Sequence, residues 1–70
     1  MTNEQLDNWF TYHAPTPEQL EHYAEIRAEA LRFAHVLNGH IPESADKTAA
    51  IRKLRECVMT ANAAIACGGK

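Results

Sequence analysis

Leu20, Tyr23, Ala24, Ala30, Leu31, Ala34 and Leu37 advance by threes and fours along the chain, with Ile26, Phe33 and Val36 to one side of that stripe. The spacing is helical, over a band wider than a single partner helix covers. Thr16-Pro17-Glu18-Gln19 marks its start, with a Thr N-cap, proline at the first helical position, an acid in the first turn and glutamine at the third. Asn38-Gly39 supplies a stop and Pro42 bars continuation, so the pattern predicts a helix over about 17–38. A second stripe, Ile51, Leu54, Val58, Ala61 and Ile65, repeats by three and four as in a coiled-coil seam. Ser44 caps it and Gly68-Gly69 ends it, which predicts a helix over about 45–66. Ala49, Ala50, Ala63, Ala64 and Ala66 flank this seam with small surfaces that let another helix approach closely.

Ahead of both, Thr2 and Gln5 have the spacing of a capping box and Leu6, Trp9 and Phe10 share a face, predicting an arm helix over about 3–11. Pro15 and Pro17 stop it by removing donors and pushing Ala14 and Thr16 extended. The expected architecture is all-α: one domain over residues 1–70, with a short N-terminal helix followed by an antiparallel hairpin of two helices. Two helices enclose no core.

Composition sharpens that last point. A 70-residue chain buries little of its surface and needs a supplement. Cys57 and Cys67 fall in one helix, roughly 15 Å of rise apart, too far to bridge each other. With no linker, repeat or low-complexity run, assembly into a homo-oligomer is the remaining route. A net charge of −2 lacks the electrostatic footprint of a protein that grips polymeric nucleic acid. A small anionic ligand is still allowed, because an oligomer can bring one arginine from each of several chains into a shared pocket. The start Met1-Thr2-Asn3-Glu4 has no basic segment leading into an apolar run, and no eighteen apolar residues occur together, so an intracellular chain with free thiols and no membrane segment is expected.

Recognition chemistry concentrates in Trp9-Phe10-Thr11-Tyr12-His13-Ala14-Pro15-Thr16-Pro17, which holds three of the five aromatics. Two readings of Tyr12 stay open: its ring staples the arm to the helices and its hydroxyl finds a carbonyl, or the ring stacks on a base while His13 or Arg27 reaches a phosphate. Arg27, four residues after Tyr23 and three before Ala30, either snorkels to the edge of an interface or supplies charge to a pocket. Lys47, Arg52, Lys53 and Arg55 form a basic set on the last helix, mostly ordinary surface, with Lys47 counted among the candidate ligand contacts. His13, His22, His35 and His40 match no zinc spacing, so no metal and no cofactor are expected. Glu18, Glu21, Glu25 and Glu29 read as a solvated strip and Cys57 as a packed thiol, which leaves no acid–base pair or nucleophile to support an enzyme.

Phe10-x-Tyr12-His13 with Pro15, then Gln19, Tyr23, Ile26-Arg27 and Ala30, and finally Ala50-Ile51, Leu54, Arg55-Glu56, Val58-Met59 and Ala61-Asn62-Ala63-Ala64-Ile65-Ala66, resemble a phage protein family, the anti-CBASS cyclic-nucleotide sponges. The resemblance covers about residues 10–66. It implies a helical homohexamer in the cytoplasm of an infected bacterium that sequesters cyclic dinucleotides such as cyclic GMP-AMP, and in many members cyclic trinucleotides at a separate site, without degrading them. By motif position it puts ligand stacking on Tyr12 and a basic contact on Arg27. The family's trinucleotide site lies toward the end of the last helix and uses a basic side chain; Ala66-Cys67-Gly68-Gly69-Lys70 stands there in this chain. The residues also fit a different class of protein, a helical oligomer that binds a host protein through its wide apolar face.

Overall fold

The computed structural model describes residues 1–70 and contains three helices and no strand. α1 spans Asn3–Trp9, α2 Pro17–His40 and α3 Ala45–Ala66. α1 begins in a reciprocal box: the Gln5 amide donates to Thr2 Oγ1 at 3.1 Å, and the Thr2 amide donates to Gln5 Oε1 at 2.8 Å. It ends earlier than the expected residue 11. Phe10 leaves helical geometry, and the Thr11 hydroxyl donates to the Asp7 carbonyl, the acceptor that the Thr11 amide would use if the helix continued.

The same box recurs at α2, where the Gln19 amide donates to Thr16 Oγ1 at 3.1 Å and the Thr16 amide to Gln19 Oε1 at 3.0 Å. The expected stop at Asn38-Gly39 gives way to a helix that runs through Gly39 to His40. Pro42 decides this boundary. It forces Ile41 into extended backbone (φ −103°, ψ 133°), whereas Gly39 keeps a negative φ. His40 closes the turn by donating from Nδ1 to the Val36 carbonyl at 2.9 Å.

α3 takes its N-cap from Ser44, whose Oγ accepts from the Lys47 amide at 3.1 Å. Its end is a Schellman turn. Gly69 donates to the Ala64 carbonyl at 2.8 Å and Gly68 to the Ile65 carbonyl at 3.2 Å, with Gly68 and Gly69 at φ 65° and 77°, where a β-carbon would strain the chain.

α2 and α3 form the hairpin, and its antiparallel sense is fixed by Gln19 Nε2 near the start of α2, donating to the Ile65 carbonyl near the end of α3 at 3.2 Å. The seam pairs half-buried Tyr23, Ile26, Ala30, Ala34 and Leu37 with half-buried Ile51, Leu54, Val58, Ala61 and Ile65. No apolar side chain is fully buried. Ala30, Leu54 and Val58 line open grooves on two sides of the hairpin, so this seam is a single layer of side chains. The protomer measures 45 × 28 × 15 Å, with a radius of gyration of 15.1 Å where a compact chain of this length has about 11 Å.

The one buried residue is Lys47, 6 % exposed. Expected among a mostly surface-lying basic set, it instead occupies the first position of the seam, four residues before Ile51. Its stem is covered at the hairpin apex while its ammonium donates to the exposed carboxylate of Glu43.

Candidate functional site

The arm is held by its backbone and by three side chains, none of them Tyr12. Asn8 Nδ2 donates to the Cys67 carbonyl at 3.2 Å and Trp9 Nε1 to the Lys70 carbonyl at 3.3 Å, tying α1 to the Schellman turn at the end of α3. The Asn8 carbonyl in turn accepts from His13 Nε2 at 2.6 Å and from Cys67 Sγ at 3.8 Å. His13 therefore locks the segment after α1 back onto it. Because Nε2 carries the proton in that bond, Nδ1 is the ring nitrogen left for a ligand.

Tyr12 projects from this clamped segment 84 % exposed, and its hydroxyl makes no hydrogen bond within the chain. The stapling role open to it from sequence falls to Asn8 and Trp9. Phe10, 83 % exposed, stands beside it. A side chain of that size held in water on a fixed backbone is available to stack without an ordering cost for the arm.

Two concave surfaces bear on the site, of which the first adjoins the arm. The first, about 610 Å³, is lined by Trp9, Phe10, Met59, Ala63, Cys67 and Lys70 among others. The second, about 270 Å³, lies along the hairpin and holds Arg27 and Arg55 over Leu31, Ile51 and Met59. Met59 lines both, so the aromatic groove and the arginine cleft share a wall. Alone the cleft is smaller than ordinary ligand sites of roughly 300–1,000 Å³.

Electrostatics distinguish the two faces of the hairpin. No Asp or Glu lines the arginine cleft, and neither Arg27 nor Arg55 has an ion-pair partner. The groove on the other side, beneath Phe33, carries Glu25 and Glu29 with Arg32. There Arg32 donates to Glu29 at 2.8 Å, and that bond raises the guanidinium above its already high ordinary value.

Of the residues expected at a site, Tyr12, His13 and Arg27 fall at or toward the arm end of the hairpin. Lys47 does not. Twenty residues of α3 separate it from Cys67, roughly 30 Å of helix rise. Sequence reasoning missed Asn8, whose role depends on the fold, and the convergence of Arg55 with Arg27. That convergence had a signal: reflecting the numbering about Pro42 puts Gln19 opposite Ile65, as observed, and brings Arg27 level with Cys57, two residues from Arg55. No three His, Cys, Asp or Glu side chains come together in a way that would hold a metal ion, and no helix is long and apolar enough to cross a membrane.

A family model described as Acb2/Tad1, hairpin domain, matches residues 2–66. Neither the curated proteins nor the solved structures yield a match. The match spans nearly all of the chain, which belongs to this family, the anti-CBASS cyclic-nucleotide sponges.

Proposed function

We propose that this member of the Acb2/Tad1 family binds and sequesters cyclic dinucleotides such as cyclic GMP-AMP without cleaving them, and so blocks CBASS signalling in the cytoplasm of an infected bacterial host. It works as a homo-oligomer, by the resemblance a hexamer, with cyclic trinucleotides as a second ligand class at a separate site. The observation that carries this reading is Tyr12. Its ring is displayed from an arm pinned at Asn8, Trp9 and His13, yet does nothing for its own chain.

The chemistry follows from the ligand's shape. A cyclic dinucleotide presents two bases and two phosphodiesters, so a pocket between two copies related by a two-fold axis matches it with one aromatic and one arginine from each. Tyr12 stacks on a base, Arg27 donates to phosphate as a charge-assisted hydrogen-bond partner, and His13 holds the arm and offers Nδ1. Lys47 reaches the ligand only from a neighbouring copy that brings its hairpin apex to the pocket. Capture requires affinity and abundance, with no bond broken.

The test is calorimetry with cyclic GMP-AMP and with a cyclic triadenylate, followed by denaturation and chromatography of the released nucleotide. Heat with intact nucleotide recovered is the expected result. Linear products would establish an enzyme instead. Absence of heat with both would favour the second reading, a helical module for a host protein, which draws on Leu20, Leu31, Phe33, Val36 and Met59, all exposed on the protomer.

A further inference from the structure

The basic set on α3 is not uniform. Arg52 and Lys53 are exposed and line none of the three main grooves, whereas Arg55 shares the cleft of Arg27. Arg27 and Arg55 thus border one cleft from antiparallel helices, around an apolar floor that supplies no carboxylate. Like charges brought over a low-dielectric surface without counterions are unfavourable to each other, and the arrangement becomes favourable when an anion lies between them. The grooves differ in this respect: beneath Phe33 the arginine already has Glu29, while Arg27 and Arg55 have nothing.

We propose that Arg55 is a second phosphate-binding residue, acting with Arg27 as a two-arginine clamp on the phosphodiester backbone of the cyclic dinucleotide. The inference rests on the sponge reading and extends its site onto α3. Arginine suits the role because its fork donates two parallel hydrogen bonds to phosphate oxygens and stays charged at every pH. In a pocket between two copies, one such clamp from each chain meets one of the ligand's two phosphodiesters. Met59 connects the clamp to the aromatic groove, so phosphates over the cleft leave the bases directed toward Phe10 and the arm.

The experiment is calorimetric titration with cyclic GMP-AMP at low and at high salt, on the wild type, Arg27→Ala, Arg55→Gln and Arg55→Lys. Sedimentation and circular dichroism are run on the same samples. Gln keeps a polar, unbranched stem and removes the charge. The expected result is an affinity loss of about 10- to 100-fold for Arg55→Gln, a shallower salt dependence, and partial recovery in Arg55→Lys, with assembly and helicity unchanged. Wild-type affinity and salt dependence in Arg55→Gln, while the wild type binds, would overturn the clamp and leave the sponge standing. A wild type that binds nothing would remove both. If Arg55→Gln changes the assembly and Arg55→Lys restores assembly without affinity, Arg55 is structural and the inference falls.

Discussion

At Tyr12 the sequence left a choice that the fold narrows. From spacing alone, an aromatic after a short amphipathic helix is as good a staple as a stacking surface, because both roles want a rigid backbone and a large ring. What separates them is which neighbour satisfies the arm, and that depends on contacts across the length of the chain: Asn8 with Cys67, and Trp9 with Lys70. No local pattern encodes those. Tyr12→Ala is expected to leave thermal stability and assembly unchanged, since the ring is exposed, while weakening cyclic GMP-AMP by about 1–3 kcal/mol for each base it stacks on. Titration and sedimentation of the same sample check both halves. Dissociation of the variant to monomers would make Tyr12 an interface residue and take the stacking role from it.

Elements were legible because their ends are written in local chemistry. Thr2, Thr16 and Ser44 cap the three helices, and Gly68-Gly69 closes α3. Thr16→Ala should cost about 1 kcal/mol, lowering the melting midpoint, because the Gln19 amide loses its acceptor and the box opens. The boundary near Gly39 was less legible, because a glycine there reads as a stop while the proline three residues on governs. Inside a helix, with negative φ and open space for 4 Å around the point a β-carbon would occupy, Gly39 only adds freedom to the unfolded chain. Gly39→Ala is therefore expected to stabilise by about 0.5–1 kcal/mol in a thermal melt. A lower midpoint would mean that another copy packs against that turn.

On the scale of the whole molecule the sequence predicted three helices and an incomplete core, with assembly of copies as its expected completion, but not which surfaces those copies cover. The protomer exposes 5813 Å², whereas a compact protein of 7.8 kDa exposes roughly 4,400 Å². The excess surpasses the ~800 Å² that each partner contributes to a standard interface. Apolar residues account for both open sides: Leu31, 60 % exposed, borders the arginine cleft and Phe33, 52 % exposed, the acidic groove. Because each is exposed in the single chain, a charge at either position should spare the hairpin and act only on what covers it. Leu31→Glu and Phe33→Glu are expected to keep their helicity by circular dichroism and to lower the sedimenting mass, to different intermediates if the two sides meet different neighbours. A glutamate at position 31 also sits beside Arg27 and Arg55, so Leu31→Glu should weaken cyclic GMP-AMP even at protein concentrations high enough to restore assembly, whereas Phe33→Glu should regain affinity there. Equal recovery by both would place the ligand away from the arginine cleft; full mass in both would leave the apolar sides free for a different protein.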